Sequence, residues 1–146
     1  MKKFLSLLLF AGVATMPMLA NTTDDHDNRL YFTIDSSTDL SRVPISFQLE
    51  NPTISITAVE MYLTLPAGVE IVSSQLAERV ESTHKITDGD TSHGYFVSVA
   101  SEEVDAFVGT DGTVCTLICD FSKLQDGDYS ISASGMFAVG VDNESV

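Results

Sequence analysis

Tryptophan is absent from this 146-residue sequence, cysteine occurs twice, and Lys and Arg together number 7 against 21 Asp and Glu, a formal charge of −14. Each shortage excludes something. Contacts to nucleic-acid phosphates are made largely by Lys and Arg, and the same two residues draw a chain to an anionic membrane surface. Lys2 and Lys3 are the only charges in the first 20 residues, so residues 21–146 carry −16 and neither partner is expected. Lack of Trp removes the broadest flat ring on which pyranose faces stack, and leaves a sugar platform to be built from Tyr alone. The longest apolar run, Phe4 to Val13, falls short of the roughly 20 residues of a membrane helix, so no insertion is expected once that segment is removed.

Signatures of catalysis are missing too. There is no G-x-S-x-G elbow, no H-E-x-x-H, no Gly-rich phosphate loop and no G-x-G-x-x-G. Among so many carboxylates some pair reaches glycosidase spacing by chance, so composition gives no support to a glycosidase. His26, in a polar lead, and His84 and His93, in or beside a polar loop, read as solvated surface histidines rather than ligands or general bases. The chain is read as a non-enzyme.

What is present is a leader and one domain. Lys2-Lys3, the uncharged run to Val13, the breaker Pro17 and the small residue Ala20 form a bacterial-type secretory signal peptide over residues 1–20. The expected location is therefore secreted, periplasmic or cell-surface. Residues 21–28 are a polar, flexible lead. Residues 29–146 are long enough for a single domain with a real core.

Periodicity of two dominates that domain. Val43 to Glu50 and Val59 to Leu65 alternate apolar and polar residues, as half-buried strands do. Leu30 to Ile34, Val69 to Val72, Tyr95 to Val99, Thr113 to Phe121, Tyr129 to Ala133 and Phe137 to Val141 read as further strands, and Gln75 to Val80 as the only candidate for a helical turn or two. The expected fold is all-β: an antiparallel two-sheet β-sandwich, jelly-roll-like, of about 8–9 strands with at most one short helix. Asp88-Gly89, Asp111-Gly112 and Asp126-Gly127 read as tight hairpin turns. Calcium at Asp88-Gly89-Asp90 or Asp126-Gly127-Asp128 is without a motif, because neither segment shows the D-x-[DN]-x-[DN]-G loop, and no cofactor is expected. Cys115 and Cys119 share one face of a strand. Four residues of strand span about 13 Å, beyond the about 7 Å that a disulfide allows, so both read as small buried apolar residues.

Several of these segments carry a resemblance. Val43-Pro44-Ile45-Ser46-Phe47-Gln48-Leu49-Glu50-Asn51, then Ala58 to Leu65, then Leu65-Pro66-Ala67-Gly68-Val69-Glu70-Ile71-Val72 resemble the opening strands of cohesin and cohesin-like domains. Gly112 to Leu117 and Tyr129 to Ala138 are similar to the later and closing strands of that family. The resemblance implies a β-sandwich related to carbohydrate-binding modules, without catalysis, in secreted or surface proteins linked to polysaccharide catabolism. It implies a dockerin-like or other extracellular protein as partner, bound on the exposed face of one sheet, with direct polysaccharide binding as the alternative.

Parity then nominates a surface. With Val59, Met61, Leu63 and Leu65 inward, Glu60, Tyr62 and Thr64 face out. With Tyr95, Val97 and Val99 inward, Phe96, Ser98 and Ala100 face out. With Cys115, Leu117, Cys119 and Phe121 inward, Val114, Thr116, Ile118 and Asp120 face out. In the family these three strands contribute to the partner-binding sheet, so the expected site is a shallow patch of Glu60, Tyr62, Thr64, Phe96, Ser98, Thr116, Ile118 and Asp120, centred on Tyr62, Phe96 and Ile118.

Overall fold

A computed structural model of the chain describes residues 28–35 and 37–141, and the backbone of Ser6–Leu7 and Ala14–Thr15. Beyond those two dipeptides, residues 1–27 lie outside the described residues, and with them the export-signal reading, most of the 21–28 lead and His26. Asn28, which the sequence reading puts in the flexible lead, is buried, and its side-chain amide donates to Thr53 Oγ1 at 2.7 Å.

Eight strands build the domain: β1 (Arg29–Ile34), β2 (Val43–Glu50), β3 (Ile56–Thr64), β4 (Glu70–Leu76), β5 (His84–Thr91), β6 (Gly94–Ser101), β7 (Asp111–Asp120) and β8 (Ser132–Gly140). They form two antiparallel sheets, ordered β8-β3-β6-β5 and β1-β2-β7-β4, with Ala14–Thr15 paired to the outer edge of β1. Asp128–Tyr129 makes a short parallel pairing with Ser6–Leu7. The all-β sandwich expected from the alternation is the fold observed.

Alternation makes the core. Val43, Ile45, Phe47 and Leu49 of β2 meet Val59, Met61 and Leu63 of β3 across the interior, with Leu117, Cys119 and Phe121 below and Val97 and Val99 above. Each fully buried Leu, Ile or Phe contributes about 1.5–3 kcal/mol relative to exposure. Pro44 stands near the start of β2, as expected, and its carbonyl accepts the Asp35 N–H at 3.1 Å. Both cysteines are free and buried.

Three local expectations fail, each because tertiary pairing outweighs a local signal. Gln75 and Leu76 belong to β4 and not to a helix: they pair with Thr116 and Cys115 of β7, and Ala77 N–H donates to Val114 O at 3.0 Å. No helix occurs among the described residues. Asp88-Gly89 lies inside β5, where Asp88 accepts hydroxyl protons from Tyr95 at 2.5 Å and Ser74 at 3.2 Å. The tight reversal falls instead at Ser92-His93, closed by Gly94 at φ 120°. Asp111-Gly112 opens β7, and Asp126-Gly127 lies in a bend of the long crossover to β8. Finally, β7 bulges opposite the Phe47/Gln48 step of β2, so Val114 turns inward beside Cys115 and is fully buried.

Candidate binding face

The outer face of β8-β3-β6-β5 brings together five of the nominated residues. Tyr62 pairs with Phe96 and Glu60 with Ser98 across β3 and β6, and Thr64 lies exposed at the end of β3. The Tyr62 and Phe96 rings touch, with centroids 5.1 Å apart and planes tilted by 48°. His93, at the exposed tip of the β5–β6 hairpin, sets its ring edgewise to Tyr62 at 6.0 Å.

Thr116, Ile118 and Asp120 do not join them. Their strand is paired with β2 and β4, so they lie on the outer face of the opposite sheet. Parity read which way these side chains point but carries no information on which sheet a strand enters. Asp120 is moreover occupied locally: its carboxylate accepts the Ser122 backbone N–H at 2.8 Å and hydroxyl at 2.5 Å, which hold its pKa below the ordinary carboxylate value.

The place given to Ile118 is filled by β8, which sequence reasoning saw as a closing strand and did not bring to the site. Ser134 pairs with Tyr62 and Phe137 with Glu60, and Val139 lies beside Ala58. Phe137 is 37% exposed. The signal was there: Phe137 and Val139 are apolar on the parity opposite to buried Ala138 and Gly140, and an apolar outward parity marks a face awaiting cover. Between Ser134 and Phe137 the strand bulges. Gly135, at φ 55°, lies so close that a Cβ there would stand 2.9 Å from Tyr62 Cδ2, so the bulge seats the Tyr62 ring.

Electrostatics separate the two outer faces. At the outward-facing paired positions of β8-β3-β6-β5, Glu60 and Lys85 are the charged residues, Lys85 being matched by Glu102 at 3.4 Å, while Asp88 and Asp90 of the edge strand β5 take the other parity opposite Val97 and Tyr95. On β1-β2-β7-β4, several polar side chains pair with one another, although the Ser73 hydroxyl is buried without a partner among the described residues. Arg29 meets Glu50 at 3.2 Å, Tyr31 donates to Glu50 at 3.0 Å, Gln48 donates to Thr113 at 2.8 Å, and the Ser46 and Thr116 hydroxyls meet at 3.1 Å. In an acidic chain, the outward positions of the first face are thus aromatic and carry few charges, whereas the second carries Arg29, Glu50, Glu70, Asp111 and Asp120 along with the apolar pair Pro44 and Ile118.

His84 also departs from expectation. It is buried rather than solvated, with its ring stacked on Phe107 at 4.5 Å and Nδ1 accepting the Glu81 N–H at 2.9 Å. It supports the fold away from the aromatic face. Among the described residues no group of three or more His, Cys, Asp or Glu is arranged to hold a metal ion, and no helix is long and apolar enough to cross a membrane.

No protein-family model and no curated protein matches the chain. Solved structures do. A non-cellulosomal cohesin from the archaeon Archaeoglobus fulgidus aligns at TM-score 0.56 and 16% identity, over 73% of this chain and 72% of that one. The sixth cohesin of Acetivibrio cellulolyticus scaffoldin B, solved in complex with a dockerin, aligns at TM-score 0.60 and 16% identity, over 80% and 90%. A type I cohesin from Clostridium thermocellum, also in a dockerin complex, aligns at TM-score 0.55 and 12% identity, over 72% and 76%. The architecture of this chain, two antiparallel sheets packed as a sandwich, is therefore a cohesin-like fold.

Proposed function

We propose that the chain is a non-catalytic protein-binding module that receives a partner on the outer face of β8-β3-β6-β5. The observation that carries this reading is the contact of Tyr62 with Phe96, flanked by exposed Phe137, on a face of an acidic protein whose outward positions carry few charges. Aromatic residues packed at the centre of a low-charge face, with polar residues at the margin, are what protein interfaces concentrate. The partner is a dockerin-like protein: two of the similar cohesins were solved holding dockerins. The signal-like residues 1–20 support a setting outside the cytoplasm, and the resemblance to cohesins extends the proposal to a scaffold linked to polysaccharide breakdown.

Direct polysaccharide binding is less well supported. A sugar platform needs coplanar ring faces, whereas Tyr62 and Phe96 are tilted by 48°. The test is titration of a captured partner against the wild-type chain and the Tyr62→Ala and Phe96→Ala variants. Each substitution is expected to weaken binding by about thirtyfold, as loss of a central aromatic does. Unchanged affinity with an intact fold overturns the reading, and depletion of the wild-type chain by insoluble polysaccharide would favour the alternative.

A further inference from the structure

At one end the aromatic face runs into a cleft of about 670 Å³. It opens between the β3–β4 connection, Leu65 to Val69, and the end of the β5–β6 hairpin. Thr64, Thr91 and Gly94 belong both to the cleft wall and to the outer face, so the two surfaces are continuous. Leu65, Val69 and Ile71 give the cleft hydrocarbon walls, and Tyr95 adds a half-buried ring. Its charged wall residues are Glu70 and Asp90.

These carboxylates differ in what they hold. Glu70 is paired with Lys123, and Asp88, behind Tyr95, accepts two hydroxyl protons. The Asp90 carboxylate forms no hydrogen bond or ion pair among the described residues, although it stands exposed at the cleft. Burial, the Asp88 bond and the charges of Asp88 and Asp90 together raise the pKa of the Tyr95 phenol, and among the described residues the one cation paired with a carboxylate of the cleft wall is Lys123, on Glu70.

We propose that the cleft receives one cationic side chain, Lys or Arg, from the protein docked on the adjoining face. The hydrocarbon stem lies against Leu65, Val69 and Tyr95, and the charged head reaches Asp90. Long cationic side chains combine these two needs, an apolar wall for the stem and a carboxylate at the mouth for the head. An anionic group would be repelled there. The identity of the occupant rests on the protein-binding reading above, while the preference of the cleft for cations does not.

The experiment is a titration of the ¹⁵N-labelled full chain with benzamidine, a flat cation, and with its neutral isostere benzamide, followed by amide chemical shifts. Benzamidine is expected to shift Leu65, Gly68 to Ile71, Gly89 to Thr91, Gly94 and Tyr95. Benzamide should leave them in place, and Asp90→Asn should weaken the benzamidine response about fourfold, the scale of an exposed ion pair. No shift at millimolar benzamidine, equal shifts with benzamide, or an unaltered response in Asp90→Asn overturns the proposal. Tyr62→Ala/Phe96→Ala leaves the titration unchanged if the cleft acts alone, so failure of the face and failure of the cleft are separately visible.

Discussion

At the residue scale, the interior shows how few groups decide a property. Cys115 and Cys119 have thiols pushed up by burial to about 12. A group whose folded pKa exceeds its unfolded value stabilises the fold fully below the unfolded value, near 9, and that contribution is lost as pH rises through about 12. The thiolate is the reactive species. At pH 8 a thiol reagent should therefore leave the native chain unlabelled and label both cysteines in denaturant; rapid native labelling would contradict this burial. Arg79 is the other decisive group. Its guanidinium donates to Leu49 O at 2.5 Å, Asn51 Oδ1 at 2.6 Å, Val108 O at 2.7 Å and Gly109 O at 2.8 Å. It thereby ties the β4–β5 connection to the end of β2 and to the loop before β7. Arg79→Ala should cost about 3 kcal/mol, because it leaves buried acceptors unpaired, and a denaturant midpoint shift would measure it.

At the scale of elements, backbone geometry sets opposite expectations at two positions. Gly94 closes the β5–β6 hairpin at φ 120°, and a Cβ there would stand 2.6 Å from Leu63 O, so Gly94→Ala should destabilise by about 2 kcal/mol. Val104, in the loop between β6 and β7, holds φ 63° with a β-branched side chain that is 46% exposed. Val104→Gly should raise the thermal midpoint, relieving strain of about 1 kcal/mol; a lowered midpoint would show that the valine packs usefully. The same elements show what the sequence carries. Alternation in β2, β3, β6 and β7 named the buried residues well, because an inward parity of Val, Ile, Leu and Phe has one physical reading. It missed the bulge that buries Val114, since an inserted residue reverses parity without leaving a mark in composition. It placed hairpins at the Asp-Gly pairs because their local preference is strong, whereas the Asp88 hydrogen bonds to Tyr95 and Ser74 keep that pair in a strand.

At the scale of the molecule, the candidate site was half legible. Glu60, Tyr62, Thr64, Phe96 and Ser98 came together because β3 and β6 are neighbours, while Ile118 went to the far side because sheet membership is decided by long-range pairing. Phe137 arrived from the last strand by the same pairing. The resulting object has two outer faces of different character, one with an aromatic centre and few charges and one with several charged and polar pairs, and the first is proposed as the binding face. The most direct measurement compares them. The wild-type chain, Tyr62→Ala/Phe96→Ala and Tyr31→Ala/Ile118→Ala are immobilised in equal amounts, each checked for native thermal unfolding, and the partner retained from an extract of the source cells is quantified. Full retention is expected for the wild type and for Tyr31→Ala/Ile118→Ala, and loss for Tyr62→Ala/Phe96→Ala. Retention by Tyr62→Ala/Phe96→Ala, with loss by Tyr31→Ala/Ile118→Ala, would contradict it.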